Sequence, residues 1–463
     1  MPAANIHDIT ESILTLEEEL DLFELEVEGV KIWERVRMPL YTRLLSNVIG
    51  ATSERNINYC RILSGTARSL RDRYSRPENL DLLVWCDSRR ERHQDGQWWD
   101  MHTDYVSTDI LGSRDIEFAT IETPEGTSHH IPQKTPKVSY IDDIYYLAGL
   151  ARELAVRTEI GFEVSPRLSE VDSHFEREFG VDIDTQSLVD RELATRKVCK
   201  PLFRRLLRTM NPEYAVYTVS YGFMKETFTE ACQESNITTV ELQHGVIHPH
   251  HFGYAFPGPR DKERFPDYLL LWGDHWKETV QYPLPRSNLI SVGFPHIERK
   301  RDEYQTTQGD SIIFISQDVI GLSLSRLAVE FANQVDAQVV YKLHPNEYGI
   351  WRDRYPWLQE STVAVVSEER PLYELFSNAS SQVGIFSTAL YEGLAFDLET
   401  YLVDLPGVET MQPLLEKHEV PLVGSAKQLA TEVSRSSRTG FESTDFFKPN
   451  SLDNLARFID THL

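Results

Sequence analysis

The chain has 463 residues, of which 41% are hydrophobic and 11% aromatic, and its formal net charge is −25. The length favours two domains over one, and the apolar content excludes a disordered chain. The negative charge argues against binding to nucleic acid and against adhesion to anionic lipid, because phosphate groups would be repelled.

The N-terminal residues lack the basic and apolar segments of a secretory signal, and no apolar run reaches the roughly 18 residues that a spanning helix requires. We therefore expect a cytoplasmic protein, with at most a peripheral association with an assembly complex at the inner face of the cell membrane. The four cysteines are widely spaced, which predicts free thiols rather than disulfides or a zinc site. The evenly spread acidic residues are typical of a halophile and equally of an ordinary acidic enzyme; unfolding at low salt would distinguish the two.

Residues 1–75 carry apolar positions at helical spacing and predict an N-terminal helical extension. The first strand signal lies at 81–86, and alternating strands and helices then predict a Rossmann-like acceptor domain over 76–300. The further strand signals of this domain lie at 215–221, 238–242, 267–272 and 289–293. A polar segment at 301–310 predicts an interdomain linker.

A second α/β series predicts a Rossmann-like nucleotide-donor domain over 301–445. Its strand signals lie at 311–316, 337–343, 362–366, 381–386 and 400–405. Residues 446–463 predict a terminal helix that could cross back to the first domain. The predicted fold class is α/β, with two Rossmann-like, doubly wound domains facing each other across a cleft, where ligands bind at the C-terminal strand ends.

Two strand ends of the second domain carry groups suited to an anionic ligand. The segment KLHPNE places Lys342, His344 and Pro345 at a strand tip, with the first two side chains on one face. After another strand, Ser387 and Thr388 begin a helix whose N-terminus favours a phosphate. The alternatives are a histidine that fixes a turn and an ordinary helix cap.

Two further residues complete the predicted donor site. Glu392 lies just over one helical turn after Thr388 and would accept hydrogen bonds from ribose hydroxyls. Gln317 follows the first strand of the domain, where a polar loop without a ligand is an equal alternative.

The segment ELQHGVIHPHHFGYAFP follows a strand of the first domain and is rich in histidine. Its four histidines suggest a metal, but no carboxylate or cysteine completes a closed ligand set, so we predict no metal site. His244 precedes Gly245, which lets the chain turn sharply and expose the ring, and we predict that it acts as the general base. Glu241 would orient the imidazole, and Gln243 would contact the acceptor.

A charged loop after the first strand would face the same cleft. Within it we predict acceptor contacts from Arg89, from the ring of Trp98 and from Asp100, with Asp104 as a second candidate for the base. A solvated surface loop is an equal alternative for this segment.

These motifs together resemble those of GT-B-type glycosyltransferases, in particular the transferases of surface and capsular polysaccharide synthesis. KLHPNE resembles the His-Pro motif of bacterial sialyltransferases, Kdo transferases and CDP-glycerol glycerophosphotransferases, which implies that His344 contacts the donor phosphate. The later segment resembles UDP-GlcNAc 2-epimerase-like enzymes, which implies phosphate binding by Ser387 and ribose binding by Glu392. The QHG segment resembles glycerophosphotransferases, which implies that His244 is the base; sialyltransferases carry an acidic pair before this glycine.

The resemblance implies a metal-independent, inverting glycosyltransferase without a cofactor. It would move a sugar from a nucleotide-activated donor to a hydroxyl of a surface glycan or a lipid-linked glycan. Three alternatives remain: a glycerol- or polyol-phosphate transferase of the same fold, a nucleotide-sugar 2-epimerase-like enzyme, and a non-catalytic GT-B-like scaffold.

Overall fold

The computed structural model describes residues 6–49, 59–72, 76–86, 90–93, 95–157, 165–258, 262, 264–304, 309–417, 420–435 and 443–462. The strands are β1 (Glu26–Val27), β2 (Val30–Lys31), β3 (Leu82–Trp85), β4 (Arg90–Arg92), β5 (Trp98–Asp100), β6 (Phe118–Glu122), β7 (Val138–Tyr140), β8 (Tyr214–Tyr217), β9 (Thr238–Leu242), β10 (Tyr268–Leu271), β11 (Leu289–Ser291), β12 (Ser311–Ile315), β13 (Val339–Lys342), β14 (Ala364–Val366), β15 (Ala379–Gly384), β16 (Glu399–Val403) and β17 (Leu422–Val423).

The helices are α1 (Ile6–Glu19), α2 (Trp33–Ile49), α3 (Tyr59–Asp72), α4 (Asp142–Arg157), α5 (Pro166–Phe179), α6 (Thr185–Met210), α7 (Lys225–Gln233), α8 (Pro295–Glu303), α9 (Gly321–Ala332), α10 (Trp351–Arg354), α11 (Pro356–Gln359), α12 (Leu372–Ser377), α13 (Thr388–Ala395), α14 (Gln412–Lys417), α15 (Ala426–Arg435) and α16 (Ser451–His462). Among the helices of the described residues, none combines the length and hydropathy that crossing a membrane demands.

Two parallel sheets form the centres of two Rossmann-like domains, which confirms the predicted fold class. In the described residues the first sheet has seven strands in the order β11-β10-β9-β8-β3-β6-β7, and the second has six in the order β14-β13-β12-β15-β16-β17. Each strand order reverses once, between β3 and β8 in the first sheet and between β12 and β15 in the second. The crevices above these reversals are the expected ligand positions in a doubly wound sheet.

Helices cover the sheets, so central strands such as β3 and β12 are largely apolar and buried. All four residues of β3 and four of the five residues of β12 are buried, as is typical of strands packed on both faces. The terminal helix α16 packs through Leu455, Phe458 and Ile459 against apolar residues of the first sheet. The C-terminus therefore lies on the first domain.

Two segments differ from the sequence prediction. The β1–β2 hairpin interrupts the helical extension at Glu28 and Gly29, which have φ values of 51° and 72° and form a turn that a helix cannot contain. The predicted linker at 301–310 overlaps α8, which ends at Glu303; residues 305–308 lie outside the described part of the chain.

The helical extension packs against the segment that follows β9. Apolar residues of α1 and α2 share one buried cluster with Phe252 and Phe256. Beside this cluster, the fully buried Arg37 donates hydrogen bonds to the buried carboxylate of Glu17 at 2.7 and 3.0 Å. The same guanidinium donates to the carbonyl oxygens of Phe252 and Ala255 at 3.2 and 2.7 Å. Arg37 therefore connects the extension to the histidine-rich segment.

Candidate active site

His244 follows β9 and lies between two tyrosine hydroxyls. Its Nε2 is 3.0 Å from the Tyr221 hydroxyl, and its Nδ1 is 3.2 Å from the Tyr254 hydroxyl. Tyr254 donates a hydrogen bond of 2.5 Å to Oε1 of the fully buried Glu241. A buried carboxylate thus orients the imidazole through one intervening hydroxyl.

These hydrogen bonds select one tautomer of His244. Because the Tyr254 proton points to Glu241, the Tyr254 oxygen is an acceptor, and Nδ1 of His244 carries the ring proton. Burial raises the pKa of Tyr254 well above its ordinary value, so this hydroxyl keeps its proton. The lone pair is then on Nε2, which faces Tyr221. A neutral imidazole in this state can accept a proton from a substrate hydroxyl.

Gly253 is needed for this arrangement. A Cβ atom at that position would lie 2.4 Å from Cδ1 of Tyr221, far inside van der Waals contact. The absence of a side chain therefore lets the Tyr221 ring approach the loop and reach His244.

His344 follows β13 at the matching end of the second sheet. Its Nδ1 accepts a hydrogen bond of 3.3 Å from the N–H of Asn346, so its ring proton lies on Nε2. The backbone N–H of His344 donates in turn to the Glu347 carboxylate at 2.7 Å. Pro345 stands at the first position of the short turn between them, where a missing N–H leaves no bond unmade.

Glu347 stabilises this turn through buried hydrogen bonds. Its side chain is fully buried and accepts from the Ser316 hydroxyl at 3.0 Å and the Tyr355 hydroxyl at 2.5 Å. Gly321 makes room for the network, since a Cβ there would lie 2.3 Å from Oε1 of Glu347. These hydrogen bonds fix the loop that carries His344. Its Nε2–H is therefore a hydrogen-bond donor in a fixed position.

Ser387 and Thr388 begin α13 at the end of β15. Ser387 is the N-cap, with its Oγ accepting from the N–H of Ala389 at 3.2 Å. A Cβ atom on Gly245 would lie only 4.0 Å from Oγ1 of Thr388. The turn after His244 in one domain therefore meets the start of α13 in the other.

The strand order places three predicted residues of the second domain at neighbouring strand ends. β13 and β15 flank β12, so His344 and Ser387 lie two strand spacings apart, or about 10 Å. Gln317 follows β12 between them, beside the reversal of strand order. These three residues therefore follow three adjacent strands at one edge of the sheet.

Glu392 lies on α13, just over one helical turn after Thr388. Its Oε2 accepts a hydrogen bond of 3.1 Å from the Tyr373 hydroxyl. Burial raises the pKa of Glu392 to about 7, although the hydrogen bond from Tyr373 opposes the rise. This carboxyl group therefore changes its charge near neutral pH.

Lys342 does not fit its predicted role. Its ammonium group donates to the carbonyl oxygens of Ser367 and Arg370 and lies 3.4 Å from the Tyr348 hydroxyl. Burial lowers the pKa of this lysine. All three partners of the ammonium group belong to the loops after β13 and β14. Lys342 therefore stabilises these loops instead of facing a ligand.

Gln243 was predicted to contact the acceptor, and the structure gives it another task. The side chain is buried, with Nε2 donating to the carbonyl of Gly245 at 2.9 Å and Oε1 accepting from the N–H of Trp272 at 2.8 Å. Both ends of the amide are occupied, so Gln243 fixes the turn beside His244.

Asp100 and Asp104 are also structural residues. Both side chains are fully buried, which removes them from contact with a glycan. Asp100 accepts from the backbone N–H groups of His102 and Thr103 at 2.9 and 3.2 Å. Asp104 accepts from the N–H of Asp100 at 2.8 Å and the Thr135 hydroxyl at 3.0 Å. The role of Asp104 as a base stays a prediction: the side chain is buried, and its Oδ1 has no hydrogen-bond partner among the described residues.

Of the other two predicted acceptor residues, Trp98 is the first residue of β5 in the β4–β5 hairpin. The ring of Trp98 packs on His130 with centroids 4.3 Å apart and is half-buried, so its face is already covered on one side. Arg89 lies outside the described residues.

Tyr221 and Tyr254 are the residues that the sequence analysis did not single out. Tyr254 lies in the quoted histidine-rich segment, ten residues after His244, and Tyr221 is the last residue of the predicted strand run at 215–221, which overlaps β8. An aromatic hydroxyl at the tip of a neighbouring strand is a signal that could have indicated Tyr221.

The two Rossmann-like domains with facing strand ends make up the GT-B fold. No protein-family model matches the chain, and no curated protein matches its sequence. Among solved structures the chain is similar to UDP-GlcNAc 2-epimerase from Methanocaldococcus jannaschii, at 11% identity and a TM-score of 0.47, over 82% of this chain and 99% of the other.

Two further structures are similar at the same level. UDP-GlcNAc 2-epimerase from Neisseria meningitidis bound to UDP-GlcNAc has 12% identity and a TM-score of 0.44, over 82% of this chain and 98% of the other. The wall teichoic acid polymerase TagF has 10% identity and a TM-score of 0.40, over 92% of each chain.

Proposed function

We propose that the chain is a glycosyltransferase of the GT-B fold that moves a sugar from a nucleotide-activated donor to a hydroxyl of a glycan or lipid-linked glycan. One observation carries the proposal: the turn after His244 in the first domain meets Thr388 at the helix start in the second. An oriented base and an anion-binding helix end then lie on opposite walls of one cleft.

In this proposal the second domain binds the donor. The diphosphate would accept hydrogen bonds from Nε2 of His344 and from the hydroxyls of Ser387 and Thr388, with the dipole of α13 favouring its charge. Negative charge grows on the leaving phosphate as the sugar departs, and these fixed donors would stabilise it. Because they supply that charge stabilisation, we propose that the transfer step needs no metal.

The first domain would activate the acceptor. An acceptor hydroxyl would replace the Tyr221 hydroxyl beside Nε2 of His244 and lose its proton to that nitrogen. The oxygen would then attack the anomeric carbon from the face opposite the nucleotide, which inverts the configuration. The positive imidazole formed in this step would be stabilised through Tyr254 by the buried Glu241.

The experiment is a donor screen followed by product analysis. Melting temperatures measured with CMP, CDP, UDP and GDP should show a rise with one nucleotide, because a ligand that binds only the folded state stabilises it. The matching nucleotide sugars and, in separate reactions, the polyol activated by the same nucleotide would then be incubated with and without a mixed glycan acceptor. Transfer only with the acceptor supports the proposal, whereas transfer of a polyol phosphate identifies the phosphotransferase alternative. Epimerised sugar without an acceptor, or binding without any turnover, would contradict it.

Glu392 gives a pH-dependent prediction for the donor site. If ribose hydroxyls donate to this carboxylate, nucleotide binding requires its ionised form, whose pKa is about 7. Affinity for the nucleotide should therefore increase by about tenfold between pH 6 and pH 8, as the ionised fraction rises. Isothermal titration at several pH values checks this, and Glu392→Gln should show a flat profile. A wild-type profile that is equally flat would remove Glu392 from the ribose site.

A further inference from the structure

Three metal-ligating side chains meet where the helical extension touches the histidine-rich segment. His7 and Glu11 are four residues apart on α1 and so share one face of the helix. His250 comes from the segment after β9, and its ring centroid lies 6.0 Å from that of His7. One ligand atom from each of the three residues lies within 4.8 Å of the other two.

The state of His250 suits coordination. Its Nδ1 is buried and has no hydrogen-bond partner among the described residues. An imidazole nitrogen that is buried without a partner is costly to leave unpaired, and imidazole nitrogens are metal ligands.

The geometry requires only small adjustments. Two atoms bound to one tetrahedral zinc ion at about 2.0–2.1 Å lie about 3.4 Å apart, so the present separations exceed that value by about 1.4 Å at most. His7 and Glu11 are exposed and can change rotamer without disturbing the core. The exposed side of the cluster leaves room for a water molecule as the fourth ligand.

Glu409 of the second domain adds negative charge to this location. Its Oε2 accepts from the N–H of Gly407 at 2.9 Å, whereas its buried Oε1 has no partner among the residues that the structure describes. It lies beyond the three-residue cluster, yet its charge acts on His250. A cation placed between α1 and His250 would be attracted by this carboxylate as well as by Glu11.

We propose that His7, Glu11 and His250 bind one divalent transition-metal ion, with Zn²⁺ the best match for two imidazoles and one carboxylate. The ion would join α1 to the segment that also carries His244, His251 and Tyr254. Its role would be structural: it fixes the extension against the loop of the candidate base. The segment itself contributes only histidines. His7 and Glu11 on α1 add the further ligands that a metal site needs.

The site is tested by a Zn²⁺ titration against a chromophoric chelator, using the tag-free full chain after treatment with EDTA. The wild type should bind one equivalent. His7→Ala, Glu11→Gln and His250→Ala should each weaken binding by about 100-fold or more, since even the loss of an outer-shell partner costs about 10–100-fold. Glu18→Gln, an exposed glutamate on the same helix, and His130→Ala, a histidine outside the cluster, should leave the affinity unchanged.

A second readout separates binding from a folding defect. Zn²⁺ should raise the melting temperature of the wild type and of both control variants, and should leave that of His7→Ala unchanged. Equal Zn²⁺ affinity in the ligand variants and the controls would show adventitious binding and overturn the proposal. Failure of the wild type to retain Zn²⁺ would overturn it too. Neither result depends on transferase activity, so this test is independent of the test of the proposed function.

Discussion

Replacing His244 with alanine should lower kcat by about 10²–10⁴-fold, the usual contribution of a general base. The substitution removes Nε2, the nitrogen that the Glu241–Tyr254 pair leaves unprotonated. The side chain is half-buried on a loop, so the fold should persist and the melting temperature should change little. Steady-state kinetics with the donor identified in the screen would measure the effect.

His248→Ala is the matched control for this variant. It removes a half-buried histidine four residues further along the same loop, and no described contact connects it to the Tyr254 hydroxyl. Its kcat should stay close to that of the wild type. A His244→Ala enzyme that keeps more than a tenth of the wild-type kcat would show that another group accepts the proton.

Replacing Arg37 with methionine should lower the free energy of unfolding by about 3–5 kcal/mol, the range found when one partner of a buried ion pair is removed. The substitution leaves the Glu17 carboxylate buried with the Trp33 indole N–H as its remaining described partner, at 2.8 Å. It also leaves the carbonyls of Phe252 and Ala255 without this donor. Urea denaturation monitored by circular dichroism would give the value.

Two comparison variants show whether charge burial causes this loss. Arg43→Met changes a half-exposed arginine on the same helix and should alter stability by no more than about 0.5 kcal/mol, as is usual for surface sites. The double variant Glu17→Leu with Arg37→Met removes both charges and should recover much of the stability. A double variant less stable than Arg37→Met would mean that packing, not the orphaned carboxylate, dominates.

The fold was predictable because most of its sheet strands coincide with short segments rich in apolar residues. Strands β8 to β16 fall on the runs read from the sequence, since strands covered on both faces leave that pattern. β6 and β7 were missed: β6 (Phe118–Glu122) mixes polar residues into a fully buried strand, and β7 (Val138–Tyr140) has only three residues. Whether a short or polar segment forms a strand depends on the strands and helices that pack against it. The local sequence pattern does not contain this information.

The site was predictable in part for a similar reason. His244 and His344 follow strands, and Ser387 and Thr388 begin a helix, as predicted, because strand ends and helix starts are local features of the sequence. Gln243 was misassigned because its partner, the N–H of Trp272, is 29 residues away, directly after the neighbouring strand β10. In the same way, Asp104 is held by Thr135, 31 residues away. Whether a polar side chain faces a ligand or a distant backbone group depends on tertiary contacts.

The central claim is that the second domain binds the nucleotide through His344 while His244 acts only in the chemical step. Calorimetric titration of the identified nucleotide into the wild type, His244→Ala and His344→Asn tests it most directly. Asparagine can still cap the turn through its side-chain oxygen, so His344→Asn removes the phosphate donor and keeps the loop.

We predict that His344→Asn weakens nucleotide binding by about 10–100-fold, the loss of one hydrogen bond to a charged group, while His244→Ala binds as tightly as the wild type. Unchanged affinity in His344→Asn, or an equal loss in both variants, would contradict the account.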